Sequence, residues 1–245
     1  MNTAIRMSVL GGLATLAMTS AAQAALQGRD LDGSLATHEA YYDTVLDITW
    51  LADANYAKTS SYDADGAMTW VDANTWAANL SFYNPLTNQT YDDWRLPTVD
   101  PINGSTFNYN VSFNGSTDFG YNITSPQSEM AYMYYVNLGN PSFTTPAGAS
   151  SGCYVNSSNT CLDNVGPFVN LQPYVYWSAT EYAPSPANAW LFTMHQGAQD
   201  RYGKTSSFYA WAVSPGDVAA VPEAETYALM LAGLGLIAWR ARRRG

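Results

Sequence analysis

The sequence predicts an α+β fold: one domain made of an antiparallel sheet and two main helices. Three observations carry that expectation. Two segments in the first part of the chain place apolar residues at helical spacing, and three short strand-like runs follow in its last third. Setting aside the two atypical ends leaves roughly 200 residues, enough for one well-buried domain and too few for two.

Residues 25–42 are polar and mixed, and residues 44–51, rich in β-branched and aromatic side chains, read as a strand. Residues 53–67 read as a loop. Thr69 is a helix cap with Asp72 three positions on, and Trp70, Ala73, Trp76, Ala77 and Leu80 then share one face. Pro97 argues against a helix through the block Asp92-Asp93-Trp94-Arg95-Leu96-Pro97-Thr98. Residues 102–123, rich in Asn, Gly, Ser, Phe and Tyr, show no clear period. A second helix is signalled by Ser125 as cap, Pro126 at the first helical position, Met130, Tyr134 and Leu138 in register, and Gly139 as stop. Residues 174–178, 189–195 and 208–213 are the strand-like runs, with Gly197 and Gly203 marking the bend between the last two. No repeat of solenoid length is visible.

The ends follow a different grammar. Arg6, an apolar core over residues 7–18 and the small residues Ala22-Gln23-Ala24 form a secretory signal peptide, residues 1–24, with cleavage before Ala25. At the other end, residues 221–245 hold Val221-Pro222-Glu223, an apolar segment over residues 227–239, and Arg240, Arg242, Arg243 and Arg244. A helix over that segment would reach roughly 20 Å, short of the ~30 Å hydrocarbon core, which suits a temporary anchor. The arginines should stay cytoplasmic and leave the main domain, residues 25–220, outside. This tail resembles the PEP-CTERM sorting signal, with Ala224 standing where the motif has its second proline. The resemblance implies recognition by an exosortase-type membrane transpeptidase of a Gram-negative bacterium, removal of the tail, and a cell-surface or extracellular-matrix destination. Membrane contact is then expected only through the tail before processing.

Between the ends remain five basic and eighteen acidic residues, a net charge near −13. Such a surface repels phosphate backbones, which excludes nucleic acid as a partner. The many aromatic residues exclude a disordered chain. Cys153 and Cys161, the only cysteines, lie eight positions apart in an exported, Ser/Asn/Gly-rich stretch, so a local disulfide is expected. In the chain-entropy picture it would contribute about 2 to 3 kcal/mol.

Met68-Thr69-Trp70, Trp76-Ala77, Leu80, the block from Asp93 to Thr98, Tyr176-Trp177-Ser178-Ala179-Thr180-Glu181-Tyr182 and Ala210-Trp211-Ala212-Val213 occur in an order that resembles the Lcl C-terminal domain family, also called domain of unknown function 1566. The resemblance covers roughly residues 44–216 and implies a compact α+β domain, distantly like C-type lectins or formylglycine-generating enzymes, on secreted and surface proteins. It carries no catalytic motif across. Within the block, Trp94 and Leu96 should face a core on alternate positions, while Arg95 should serve structure by meeting Glu181 or Asp93. Trp177, Trp190 and Trp211 are expected in the core.

His38 and His195, the only histidines, sit in no ligand pair and beside no nucleophile motif, and no phosphate-cradle, dinucleotide or zinc spacing occurs. Asp63-Ala64-Asp65-Gly66 resembles a fragment of a calcium loop, yet Asn74 stands where an EF-hand needs Glu, so an Asx turn is the favoured reading and Asp63 and Asp65 are the first candidates if calcium binds. No other cofactor is expected. Two functional classes remain: a non-catalytic surface or matrix module, adhesive or contacting polysaccharide through exposed Tyr and Trp rings, and a secreted enzyme acting on polysaccharide through a carboxylate pair.

Overall fold

A computed structural model describes residues 26–155 and 160–218. The signal-peptide residues Ala22, Ala24 and Ala25, the motif Val221-Pro222-Glu223 and the apolar segment 227–239 lie outside them. Among the described residues, no helix is long and apolar enough to cross a membrane.

The strands are β1 (Leu26–Arg29), β2 (Ala40–Asp43), β3 (Ile48–Leu51), β4 (Ala67–Met68), β5 (Phe82–Asn84), β6 (Gln89–Tyr91), β7 (Val111–Ser112), β8 (Phe119–Tyr121), β9 (Val175–Glu181), β10 (Asn188–Thr193), β11 (Ala198–Gly203), β12 (Phe208–Tyr209) and β13 (Val213–Pro215). Helices α1 (Tyr56–Thr59), α2 (Trp70–Ala78) and α3 (Glu129–Tyr132) complete the α+β architecture, and a π-helical turn over Met133–Asn137 extends α3. One sheet has the order β1-β2-β3-β13, a larger one β4-β12-β9-β10-β11-β8-β7, and β5-β6 form a separate hairpin. Pairing is antiparallel throughout, save β12 on β9 and β7 on β8.

Helix α2 forms as its local signals require. Thr69 Oγ1 accepts the Asp72 N–H and donates to the Asp72 carboxylate at 2.6 Å, while Trp76 is buried and the Trp70 indole donates to the Ser178 carbonyl at 2.7 Å. The second helix starts later than its sequence suggests. Ser125 and Pro126 sit in a turn closed by the Ser128 N–H on the Ser125 carbonyl, and the helix begins at Glu129. Ser128 at the N-terminus of the helix makes no side-chain cap, and its hydroxyl donates to Gln199.

The run 44–51 is a hairpin corner and not one strand. Asp43 Oδ1 accepts the N–H groups of Val45 and Leu46 at 2.9 and 3.0 Å, Asp47 adopts φ 52°, and the chain folds back so that Asp43 pairs with Ile48. The paired aspartates were the readable signal. Residues 208–213 also divide. Tyr209 pairs with Tyr176 in the larger sheet and Val213 with Trp50 in the smaller, and Trp211 between them joins the two. Its ring lies 4.6 Å from Trp50 and 4.7 Å from Phe168, and its indole donates to the Leu51 carbonyl at 2.8 Å. Strand β11, unread in the sequence because Gln199, Asp200 and Arg201 interrupt its apolar pattern, lies between the last two predicted runs.

The Asp-Trp-Arg-Leu-Pro-Thr block is structural. Trp94 and Leu96 are buried, and Arg95 exchanges both backbone hydrogen bonds with Val213 at 2.8 Å. Its guanidinium does not meet Glu181 or Asp93. It binds Glu129 in fork geometry at 2.7 and 2.8 Å, and Glu129 also accepts the Thr98 N–H at 2.7 Å. Glu181 pairs with Lys204 instead, on the outer end of β9. The better partner sits 34 positions away and reaches Arg95 only through the tertiary fold.

Candidate functional site

The register of β10 and β11 builds a surface. Directly opposed residues share a face, so Ala189 with Tyr202, Leu191 with Asp200, and Thr193 with Ala198 lie on one side of the larger sheet. Val175 and Trp177 join that side through their pairing with Thr193 and Leu191. The opposite side carries Trp190 and Phe192, both buried. Phe192 packs in the main core against Tyr134.

On the first side lies a cleft of about 500 Å³ bordered by Tyr174, His195, Asp200, Tyr202, Ser206 and Phe208, with Val175, Leu191 and Thr193 also lining it. Tyr174 and Tyr202 are 51% and 57% exposed, large rings that the sheet does not cover. The Phe208 ring stands 5.6 Å from Tyr202 and 6.3 Å from Tyr174 and so forms the wall between them. Trp177, 0% exposed, packs 4.9 Å beneath Phe208 and gives the wall a rigid base. His195 sits in the β10–β11 turn, which Gly197 permits at φ 71°, and its ring stacks on Tyr174 at 6.0 Å.

The electrostatics are muted. Burial depresses the His195 pKa, only partly offset by the Tyr174 backbone, so the imidazole is uncharged at neutral pH. Burial raises the Asp200 pKa, opposed by the Arg201 N–H and charge. Arg201, which also lines the cleft, holds its guanidinium 3.9 Å from the Asp200 carboxylate in a solvent-exposed pair and lies over the Phe119 and Tyr182 rings. Ser206, His195 and Asp200 all border the cleft, but among the described residues no hydrogen bond joins any two of them.

Sequence reasoning expected Tyr and Trp platforms and had no means of finding this cleft. The exposed rings are Tyr and Phe, whereas Trp177, Trp190 and Trp211 are core residues, as their surroundings in sequence suggested. His38 lies apart from His195, in a second cleft of about 410 Å³ with Asp32, Glu39, Asp53, Tyr56 and Phe82. Cys153 and Cys161 are joined by a disulfide with Cα atoms 5.0 Å apart.

Asp63 and Asp65 form an Asx turn. Asp63 Oδ1 accepts the Asp65 and Gly66 N–H groups at 3.0 and 2.8 Å, and Asp65 Oδ1 accepts that of Ala67 at 2.9 Å. The same pattern recurs at Asp30-Leu31-Asp32-Gly33, where Asp30, Asp32 and Glu39 bring carboxylate oxygens within 4.8 Å of one another. The repeated D-x-D-G spelling was the overlooked signal. Burial of Asp63 favours its protonated form, but the N–H donors of Gly66, Asp65 and Ala67 outweigh it and hold the pKa below 3.8. A depressed carboxylate pKa stabilises the fold above the unfolded value and loses that effect as pH falls through the folded one. Asp63→Asn should therefore lower the melting temperature at pH 7, and the deficit should shrink as pH is taken below about 4, followed by thermal melts across a pH series.

The two sheets and their open aromatic cleft define an α+β module with a ligand-sized concavity on one sheet face. The chain belongs to the Lcl C-terminal domain family, whose model matches residues 39–214. Residues 220–244 match the PEP-CTERM protein-sorting motif, so the protein is exported, anchored transiently in the membrane and recognised by an exosortase. No curated protein matches the chain.

Proposed function

We propose that this protein is a non-catalytic surface or extracellular-matrix module of a Gram-negative bacterium that holds polysaccharide in the cleft formed by Tyr174, Tyr202 and Phe208. The observation that carries the reading is the pair of exposed tyrosine rings in one cleft with polar Asp200 and Ser206. A sugar presents an apolar C–H face and a rim of hydroxyls, which matches rings that stack and side chains that hydrogen-bond beside them. Glycoside hydrolysis of the common kind places a second carboxylate across the bond, and Asp200 is the one carboxylate among the residues lining this cleft. Binding without turnover is accordingly the favoured activity.

Affinity electrophoresis of the purified protein in gels containing soluble polysaccharides tests the reading. At least one neutral polysaccharide should retard the protein, and Tyr202→Ala should weaken that retardation roughly tenfold while the melting temperature stays near the unmutated value. Retardation unchanged in both Tyr202→Ala and Tyr174→Ala would remove the cleft from the account, and release of reducing ends would favour an enzyme.

A further inference from the structure

The aromatic surface does not stop at the cleft. On its far side Tyr154 lies 6.3 Å from His195, and Phe143 lies 5.3 Å from Tyr154. Tyr121, at the end of β8, follows 6.4 Å from Phe143, and Phe113 stacks 6.0 Å from Tyr121. Joined to the His195, Tyr174, Phe208 and Tyr202 contacts, these rings make one unbroken series, and every member is at least partly exposed. The series skirts the end of the larger sheet at the β10–β11 turn.

The backbone fixes these rings in place. The Phe143 N–H donates to the Gln196 carbonyl at 2.9 Å, and the Asn122 amide donates to the carbonyls of Phe113 and Thr144 at 2.7 and 2.9 Å. Tyr154 depends on the disulfide. It follows Cys153 directly, and Cys161, at the other end of the bridge, donates its N–H to the His195 carbonyl at 2.9 Å. The bridge thus pins the loop that carries Tyr154 to the turn that carries His195.

We infer that this series is an extended track for an internal stretch of an uncharged polysaccharide chain, with the Cys153–Cys161 bridge holding its middle ring in line. The inference rests on the cleft being a sugar site. Rings in succession offer successive stacking platforms to a polymer, whereas a single cleft would be saturated by a short oligomer. Charge selects the polymer: His195 is neutral, Asp200 and Arg201 offset each other, and the surrounding protein is strongly acidic, so polyanionic glycans are repelled.

Isothermal titration of the whole mature protein with a length series of whichever neutral polysaccharide retards it in the gel, from the trisaccharide upward, tests the track. Affinity should keep rising beyond the trisaccharide. Tyr154→Ala, and separately Cys153→Ser with Cys161→Ser, should weaken long-chain binding by roughly tenfold yet leave the trisaccharide constant within about twofold. Phe113→Ala, an exposed position remote from the bridge, should act in the same sense if the long-chain loss reflects the track and not a loosened fold. A constant that plateaus at the trisaccharide, or variants that weaken all lengths equally, would overturn the track and leave the cleft reading standing. Preference for a polyuronate over neutral chains would also overturn it. Failure of every length and every polysaccharide to bind would end both readings.

Discussion

Trp211→Ala should lower the free energy of unfolding by about 3 to 5 kcal/mol, among the largest losses any single substitution in this chain can produce. The side chain is 0% exposed and touches both sheets, through Trp50 and Phe168 on one flank and Tyr176 on the other. Its removal leaves a cavity where the strand pair β12 and β13 changes sheets, and it strands the Leu51 carbonyl without its indole donor. Backbone hydrogen bonds hold the surrounding segment, notably Leu51 N–H to the Ala212 carbonyl, so collapse into the cavity is restricted. Since domains of this size are stable by roughly 5 to 15 kcal/mol, the variant should be near the edge of folding at 37 °C. Urea denaturation followed by tryptophan fluorescence measures the loss. A midpoint within error of the unmutated protein would show that the two sheets are not joined through this ring.

Arg95→Ala should cost about 3 kcal/mol for a different reason. Glu129 has 9% of its side chain exposed, and without the guanidinium it keeps the Thr98 N–H as its remaining donor at 2.7 Å. A buried carboxylate left uncompensated is far more costly than the net value of the intact pair. Replacing both partners, Arg95→Met with Glu129→Leu, should therefore recover much of the stability lost in Arg95→Ala. A double-mutant cycle by chemical denaturation reads this directly. Additive losses would mean that the pair is spectator geometry and that the block from Asp93 to Thr98 is held by Trp94 and Leu96 alone.

Legibility followed the range of the interactions involved. Helix α2 could be read because its cap, its acidic first turn and its tryptophans lie within ten positions of one another. The second helix could be recognised by its repeat at Met130 and Tyr134, but its start lies beyond a turn that Ser125 and Pro126 form instead, closed by the Ser128 N–H on the Ser125 carbonyl. Residues 44–51 misled because Val45, Leu46, Ile48 and Leu51 carry strand character while Asp43 and Asp47, which turn the chain, are outvoted in any count of apolar residues. Strands β1 and β2 were lost in polar sequence. Their pairing with β3 supplies hydrogen-bond partners that no local pattern advertises.

The same division separates address from recognition. Export and sorting are read by enzymes from short, linear spellings, so the order of a Pro-Glu pair, an apolar segment and an arginine cluster settles them within the chain itself. Family membership was likewise written in the spacing of the tryptophan-rich blocks. The cleft was not, because it is made by cross-strand register: Tyr202 becomes a neighbour of Ala189, and Asp200 of Leu191, only once β10 and β11 have paired. Arg95 could be assigned a structural role from its surroundings, but the identity of its partner required the approach of α3. Sequence determined that this protein is exported and sorted, and that Trp177, Trp190 and Trp211 lie in its core. Tertiary structure alone decided which aromatic rings remain outside, since exposure is a property of what packs against a side chain and not of the side chain itself.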